Sequence, residues 1–272
     1  GSFRALKVVM TPGTVVSAVR PAAMRTWMSF PMTVCDTILR AMEHAVPERT
    51  IAGHHADLMV ARVNGIAPAS GRMFISHLGP TGGGWGAKHN EDGMCATVCI
   101  NDGDTHNSPC EQIEAKYPLM FERHALREDS GGPGRFRGGL GAEQVIMARA
   151  HVNVFTRIDR IHCAPWGLAS GGAGKGNRIA LRMDGQVLDD LPNGKQARRL
   201  KPGDALTLGA GGGGGFGSPL ERDPERVAHD VRQGYVSASA AFEDYGVVLT
   251  DDGSVDRRST EARRLGARMK VN

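Results

Sequence analysis

The sequence predicts an α+β protein that is rich in short β-strands, with glycine-rich turns and a few peripheral helices. Glycine accounts for 37 of the 272 residues, which is typical of a chain with many tight turns. Short runs of apolar and β-branched residues alternate with these glycines, as in β-rich proteins. Apolar residues at helical spacing occur in only a few segments.

Each element follows from a local pattern. The predicted strands span residues 3–9, 14–19, 119–126, 144–150, 152–158, 179–183, 186–188 and 205–208. The predicted helices are residues 32–45, a turn after Pro109, a helix capped by Asp223 that runs to Gln233, and a helix from Ser237 to Tyr245. Because a strand opens the chain without a lead-in, we expect the chain to begin inside a larger fold.

The stretch from residue 107 to 141 has the highest density of candidate functional residues. Pro109 favours the first turn of a helix, and Glu111 and Glu114 then lie on one face at i, i+3 spacing. Pro118 ends the helix by Tyr117, because it lacks a backbone N–H group. This face therefore presents carboxylates that can orient a substrate or a water molecule.

An acidic turn and two arginines follow the strand at 119–126. Alternation in an extended segment places Arg135 and Arg137 on the same side, flanking Phe136. Such a loop can hold a carboxylate or amide substrate, and Arg137 directly precedes Gly138-Gly139, where a ligand can approach the backbone. The alternative is a buried ion-pair corner in which Asp129 pairs with either arginine.

Three motifs imitate known sites without matching them. Residues 129–133 copy the end of a trypsin-like protease signature, but only about 75 residues separate them from His54 and His55, too few for a two-barrel protease. Residues 171–176 lack the first glycine and the Ser/Thr of a phosphate loop. Residues 211–215 precede Ser218-Pro219 rather than a helix, which favours a loop lining a cleft.

Cysteine and histidine residues raise the alternative of a zinc site. Cys95 and Cys99 fall on one face of a possible strand, with His89, His106 and Cys110 nearby in the chain. The spacing is not that of a zinc ribbon, and strand cysteines are commonly small buried hydrophobes, so we expect free thiols and no metal in this chain. The adjacent His54 and His55 are expected to be a structural pair.

Charge and hydropathy exclude several classes of protein. The net charge is +4, and basic residues concentrate only near the end of the chain, so no nucleic-acid partner is expected. Apolar runs are much shorter than the roughly 20 residues that span a bilayer, so no membrane partner is expected. With five cysteines and no disulfide pattern, a cytoplasmic location is predicted.

Several separated motifs together resemble the C-terminal half of the hydantoinase B/oxoprolinase family. They occur in the family's order: SPCEQIEAKYPLMFERHALREDSGGPGRFRGGLG from residue 108, Asp159-Arg160, PWG at 165–167, GGGGGFGSPLERDPERVAHDVRQGYVS from residue 211, and DYGVV at 244–248. The resemblance extends over residues 1–249 and leaves residues 250–272 as a basic tail or helix. Many relatives carry histidines where this sequence has Cys99 and Asn101, so the substrate class stays open.

The resemblance implies a subunit or fragment of an ATP-dependent hydrolase of cyclic amides, acting on hydantoin, 5-oxoproline or lactam rings. It implies that an A-type partner subunit binds ATP, and that a divalent metal lies there or in the N-terminal half of the B-type subunit. ATP would activate the amide oxygen by phosphorylation. The alternatives are a subunit of a ketone carboxylase and a non-catalytic assembly subunit; the isolated chain is expected to be inactive.

Within this scheme two sets of residues are candidates for the site. The catalytic candidates are Glu111, Asp129, Arg135 and Arg137. The substrate-binding candidates are Asp92, Ser130, Gly138, Gly139, Gly213, Gly214 and Phe216. The arginines would stabilise negative charge at the site, and the carboxylates would orient the substrate or water.

Overall fold

A computed structural model describes residues 4, 7–22, 29–98, 106–189, 191 and 194–269. Over these residues there are nine strands: β1 Ala61–Ile66, β2 Met73–Leu78, β3 Leu119–Leu126, β4 Ala142–Ala148, β5 Val152–Thr156, β6 Arg178–Met183, β7 Gln186–Leu188, β8 Ala197–Leu200 and β9 Ala205–Gly209. The same described residues form five α-helices: α1 Ser29–Ala41, α2 Cys110–Lys116, α3 Pro224–Arg232, α4 Ala238–Glu243 and α5 Arg257–Met269. These elements confirm the β-rich α+β class. Among the described residues, no helix is long and apolar enough to cross a membrane.

The strands form two antiparallel sheets with one hydrophobic core. The first sheet has the order β2-β1-β5-β8, and the second has the order β3-β4-β9-β6-β7. Strands such as β4 alternate buried and half-buried side chains, so that each sheet has one apolar face. Side chains from both sheets, among them Val63, Val154, Ile146 and Leu208, belong to the same buried cluster. Burial of this shared apolar surface holds the two sheets together.

Local signals set the ends of the C-terminal helices. The carboxylate of Asp223 accepts a hydrogen bond from the N–H of Glu225, and Pro224 occupies the first turn of α3. Gly234 follows α3 with a φ of 69°, a conformation that glycine adopts at low cost. The Ser237 side chain accepts from Ala240 N–H and caps α4, which ends at Glu243, two residues earlier than predicted.

Several predicted elements are wrong or displaced. Residues 7–22 form no strand, and the predicted strand at 14–19 is reduced to an isolated bridge between Thr14 and Ser17. Val15, Val16 and Val19 are exposed there, because no neighbouring strand pairs with this segment. The beginning of the predicted strand at 3–9 lies largely outside the described residues. The predicted helix at 32–45 begins and ends earlier, as α1.

Glycine-rich segments from distant parts of the chain pack against one another through their backbones. We call this the glycine layer; it consists of residues 82–86, 131–141, 171–174 and 211–217. The N–H of Gly84 donates to Gly211 O at 2.9 Å, and that of Gly132 donates to Gly213 O at 2.7 Å. A Cβ atom on Gly213 would overlap the carbonyl of Trp85. Residues 211–215 of the predicted cleft-lining loop therefore lie in an interior layer, because the space beside them is filled by other backbone, whereas Phe216 at the end of the loop reaches the surface.

Candidate functional site

Residues 135–137 form the part of the glycine layer that reaches the surface, where they lie between two hollows. The sequence predicts both arginines on one side, but their environments differ: Arg135 is exposed and Arg137 is almost fully buried. Arg135 lines one hollow, of about 290 Å³. Arg137 lines the other, of about 410 Å³.

Arg137 belongs to a buried ion-pair cluster, which we define as Asp92, Arg137, Arg222 and Asp230. Its Nε is 3.3 Å from Oδ2 of Asp230, and its Nη1 donates to Gly138 O at 2.7 Å. The backbone N–H of Arg137 donates to Asp92 at 2.8 Å. These bonds fix both the side chain and the backbone of residue 137.

Arg222 joins the two carboxylates of the cluster. It is 1% exposed and reaches both oxygens of Asp92, at 2.7 and 2.8 Å, and Asp230 at 2.8 Å. Arg226 contacts Asp92 from the exposed edge at 2.7 Å. A two-pronged arginine–carboxylate contact of this kind is geometrically specific and charge-assisted.

The cluster sets the charge of its members. Burial alone raises the pKa of Asp92, but hydrogen bonding to Arg222 and the charge of that guanidinium outweigh burial and hold the pKa below 3.8. For Arg222, burial lowers the pKa while bonding to Asp92 raises it, and the net change is a rise. The carboxylate and the guanidinium therefore stay ionised at neutral pH.

The predicted ion pair of Asp129 with Arg135 or Arg137 is wrong. Asp129 has a φ of 56°, and its carboxylate accepts the backbone N–H of Ser237 at 2.8 Å. It thus ties the turn at residue 129 to the start of α4. The ion-pair corner exists, but Asp230 takes the place predicted for Asp129.

We call the hollow that Arg135 lines the aromatic hollow. Its lining residues are His89, Arg135, Phe136, Ala169, Ser170, Phe216, Gly217, Ser218 and Glu221. The guanidinium carbon of Arg135 lies 5.6 Å from the centre of the Phe136 ring. Within the described part of the chain, no carboxylate forms an ion pair with Arg135. A guanidinium with apolar ring faces around it suits a planar anionic group, such as a carboxylate.

A strained turn forms part of the rim of the aromatic hollow. Ala169 and Ser170 have φ values of 48° and 72°, and Gly171 N–H donates to Leu168 O at 2.8 Å, which closes the turn. Left-handed backbone at non-glycine residues is costly and persists where the surroundings impose it, commonly at functional sites. The position of this turn favours the aromatic hollow as a binding site.

Hydrogen bonds of Arg222 and Asp92 connect the two hollows through the backbone of residues 135–137. Its Nη1 donates to the backbone carbonyl of Arg135 at 3.2 Å, while the Arg137 N–H is held by Asp92. The buried ion-pair cluster thereby fixes the backbone on both sides of Phe136. The Arg135 side chain thus projects from a rigid support into the aromatic hollow, which favours pre-organised binding.

Other predicted site residues lie elsewhere. Glu111 is exposed on α2 and lines neither hollow, whereas Glu114 accepts the N–H of Phe121 at 2.6 Å. Ser130 is buried and bonds internally, donating to Arg127 O at 2.6 Å and accepting from Gly141 N–H at 3.0 Å.

The glycines predicted to bind substrate lie against other backbone segments. Gly138, Gly139, Gly213 and Gly214 are buried in the glycine layer, where a Cβ atom on each would overlap a carbonyl group of another segment. Close approach does occur at these positions, but the approaching group is backbone.

Arg222, Asp230 and His89 also line these hollows, although they were not among the predicted site residues. The spacing of Arg226 and Asp230 at i, i+4 on α3 was an available signal of a charged helix face. Local patterns held no signal that Arg222 would bind Asp92, which is 130 residues away in the chain.

Metal ligands are not assembled in the described part of the chain, where no group of three or more His, Cys, Asp and Glu side chains could hold an ion. Residues 95–98 form no strand apart from a bridge between Thr97 and Gly83, so the predicted strand is not formed at Cys95. Cys99 lies outside the described residues, and Cys110 Sγ contacts Nδ1 of His124 at 3.3 Å.

Comparison with known proteins identifies the relatives of this fold. The β subunit of caprolactamase from Pseudomonas jessenii is 30% identical over 97% of this chain and 47% of its own length. The crystal structure of the ATP-dependent caprolactamase from that organism superposes with a TM-score of 0.86 and 29% identity, covering 97% of this chain and 47% of that one. A nucleotide-free structure of acetone carboxylase gives a TM-score of 0.71 at 25% identity, covering 84% of this chain and 35% of that one.

These relatives are longer proteins, and the chain spans about half the length of the curated relatives it matches. Related proteins include ATP-dependent enzymes, and several are named as subunits of complexes. The family model for hydantoinase B/oxoprolinase matches residues 1–219. The chain therefore belongs to the hydantoinase B/oxoprolinase family.

Proposed function

We propose that this chain is part of an ATP-dependent enzyme that opens cyclic amides of the hydantoin, 5-oxoproline or lactam type. The observation that carries the proposal is the similarity to caprolactamase over 97% of the chain, with a TM-score of 0.86. Caprolactam is a cyclic amide, as are hydantoin and 5-oxoproline, so the ring class follows from the relatives. A ketone carboxylase is the second candidate, supported by the likeness to acetone carboxylase.

In this proposal the aromatic hollow contributes to the substrate site. Arg135 would bind an anionic group of the substrate, or the negative oxygen that develops as the amide opens, and Phe136 and Phe216 would shield that contact from water. The buried ion-pair cluster, including Asp92 and Arg137, would position this arginine. Glu111 and Asp129 lie outside the hollow and do not enter this role.

ATP and a divalent metal would be bound by other polypeptide, namely an A-type subunit and the remainder of a B-type subunit. The glycine layer supports this division, because N–H groups that a phosphate would need, such as those of Gly174 and Gly212, donate to Pro165 and Lys175. A cytoplasmic location is also part of the proposal. Free thiols at Cys35, Cys95, Cys110 and Cys163 support it.

The test is an assay of the complex assembled from this chain, its A-type partner and any remaining B-type polypeptide. ATP consumption and product would be measured with caprolactam, hydantoin and 5-oxoproline, and with acetone plus bicarbonate. ATP-dependent opening of at least one ring is expected. Carboxylation of acetone alone would select the second candidate, and an intact complex without either activity would favour an assembly role.

A further inference from the structure

A second group of polar side chains lies away from both hollows, against helix α1. His54 and Asp36 are fully buried, with His54 Nδ1 3.0 Å from Asp36 Oδ1. Nη1 of Arg160 lies 2.9 Å from the other oxygen of Asp36. The guanidinium carbon of Arg160 is 5.2 Å from the centre of the Trp166 ring. These four residues and His55, whose ring centre is 6.0 Å from that of His54, form the buried histidine cluster.

Four nitrogen atoms of this cluster are buried without a hydrogen-bond partner among the described residues: His54 Nε2, His55 Nδ1, Arg160 Nη2 and Trp166 Nε1. Buried polar atoms are almost always paired, so four unpaired atoms in one cluster require an explanation. Arg160 Nη2 and Trp166 Nε1 carry hydrogen and cannot accept, so that only an acceptor satisfies them.

The fold fixes Arg160 in place. Its φ is 53°, a strained value for a residue with a side chain, and its backbone carbonyl accepts the N–H of Asn177 at 3.0 Å. Its Nε donates to Cys163 O at 3.1 Å. With Nη1 held by Asp36, the guanidinium is immobilised on every side except at Nη2.

We propose that the buried histidine cluster binds one small oxyanion through Nη2 of Arg160 and Nε1 of Trp166. A cation does not fit, because it would face the N–H groups of both side chains. Asp36 and the anion would share the positive charge of Arg160, and the guanidinium of Arg40 beside Trp166 adds positive charge at the edge of the cluster. Phosphate, bicarbonate and a carboxylate share the required acceptor chemistry.

Arg40 and Trp166 mark the side of the cluster that lies nearest the surface. Trp166 is half-buried, and the guanidinium carbon of the exposed Arg40 lies 4.9 Å from its ring centre. Arg40 and Trp166 thus form the outer wall of the cluster. The positive charge of Arg40 would attract an anion towards this side of the cluster.

The test is calorimetric titration of the purified chain with inorganic phosphate, bicarbonate or acetate in separate experiments. Binding of one equivalent of at least one anion is expected. Trp166→Phe removes the indole N–H while keeping an aromatic ring beside Arg160, and it should weaken binding by roughly tenfold or more, as expected for a lost hydrogen bond to a charged group. The titration that shows binding identifies the kind of anion, either phosphate or a carboxylate-type anion.

Two further variants distinguish anion binding at the buried histidine cluster from attraction of the anion by exposed arginines. Arg160→Gln should abolish binding, and Arg62→Gln should not, because Arg62 is an exposed arginine stacked 4.9 Å from Phe155 elsewhere. If Arg160→Gln does not fold, Trp166→Phe decides the question. Failure of all three anions to bind the wild-type chain, or equal affinity in Trp166→Phe, would overturn the proposal; in that case ordered water occupies the cluster.

Discussion

The guanidinium of Arg137 and the carboxylate of Asp230 lie 3.3 Å apart, across 93 residues of sequence, and each side chain is only 5% exposed. A charge buried in this way is costly if its partner is lost. The pair therefore makes residues 135–137 sensitive to any change that breaks it. This distinguishes Arg137 from Arg135, which carries its charge at the surface.

Arg137→Lys should reduce the free energy of unfolding by about 2–4 kcal/mol, because one ammonium group cannot replace the contacts to Asp230 and Gly138. Urea denaturation of the purified variant measures this. Arg226→Lys is the matched control: its side chain is 49% exposed, so a change within about 1 kcal/mol is expected. Unchanged stability with lost turnover would instead support the catalytic role that the sequence predicts for Arg137.

Arg135→Lys should behave in the opposite way. Its melting temperature should match that of the wild type because the side chain is exposed, whereas turnover of the assembled complex should fall roughly tenfold or more. Arg62→Lys provides the control, since Arg62 stacks on Phe155 with similar geometry away from the hollow. Full turnover in Arg135→Lys would remove the aromatic hollow from the substrate site.

Gly213→Ala should prevent folding or destabilise the chain severely, because the new Cβ would overlap the backbone carbonyl of Trp85. Gly266→Ala is the control, since no atom lies within 4 Å of the added Cβ and the residue is in helix α5. That change should stabilise the chain by about 0.5–1 kcal/mol. A folded Gly213→Ala variant with normal stability would contradict the packing of the glycine layer.

The stability of the chain should depend on pH through His55. Burial, followed by the neighbouring His54, lowers the pKa of His55 from 6.5 to about 3. The unfolded chain binds a proton at higher pH than the folded chain, so stability present above about pH 6.5 is lost as the pH falls towards about 3. The loss is about 1.4 kcal/mol per pH unit within that window.

His55→Gln has no imidazole to titrate and isolates this contribution. Its unfolding free energy should fall less steeply with decreasing pH than that of the wild type, even if the substitution lowers stability at neutral pH. Urea denaturation between about pH 6.5 and pH 4.5 measures both slopes. Equal slopes would mean that His55 is not held neutral in the folded chain.

The isolated chain should bind neither ATP nor a structural metal. Gly174 and Gly212, in segments that imitate nucleotide loops, already use their N–H groups within the fold. Calorimetry with ATP and elemental analysis of the purified chain check both expectations. Tight ATP binding would contradict the division of labour proposed above, and stoichiometric zinc lost in a Cys95→Ser variant would restore the metal alternative.

Local sequence signals predicted the elements whose ends depend on neighbouring residues. Strand β3 has the predicted bounds, and α2 ends where Pro118 requires it. The caps at Asp223 and Ser237 were predictable for the same reason. Strand β8 was not predicted, because its sequence, ARRL, has no alternation of apolar and polar residues. It forms a strand by pairing with β5.

The candidate site depends on contacts that local patterns do not encode. Arg135, Arg137 and Phe216 were recognised as important residue types, but their separation into two environments arises from Arg222 and Asp230. The packing of the glycine segments against one another was not predicted, for a related reason. A glycine that admits a ligand and a glycine that admits another backbone segment have the same local sequence signature.

The glycine layer also has a consequence for how the chain is made. Residues 213 and 214 supply hydrogen bonds to Gly139 and Gly53, which leave the ribosome well before them. At about 5–20 residues per second, the earlier segments wait several seconds or longer with these backbone groups unpaired. We therefore expect the centre of the molecule to assemble late, in a single cooperative step that closes several long loops. Chaperone protection would matter most during that interval.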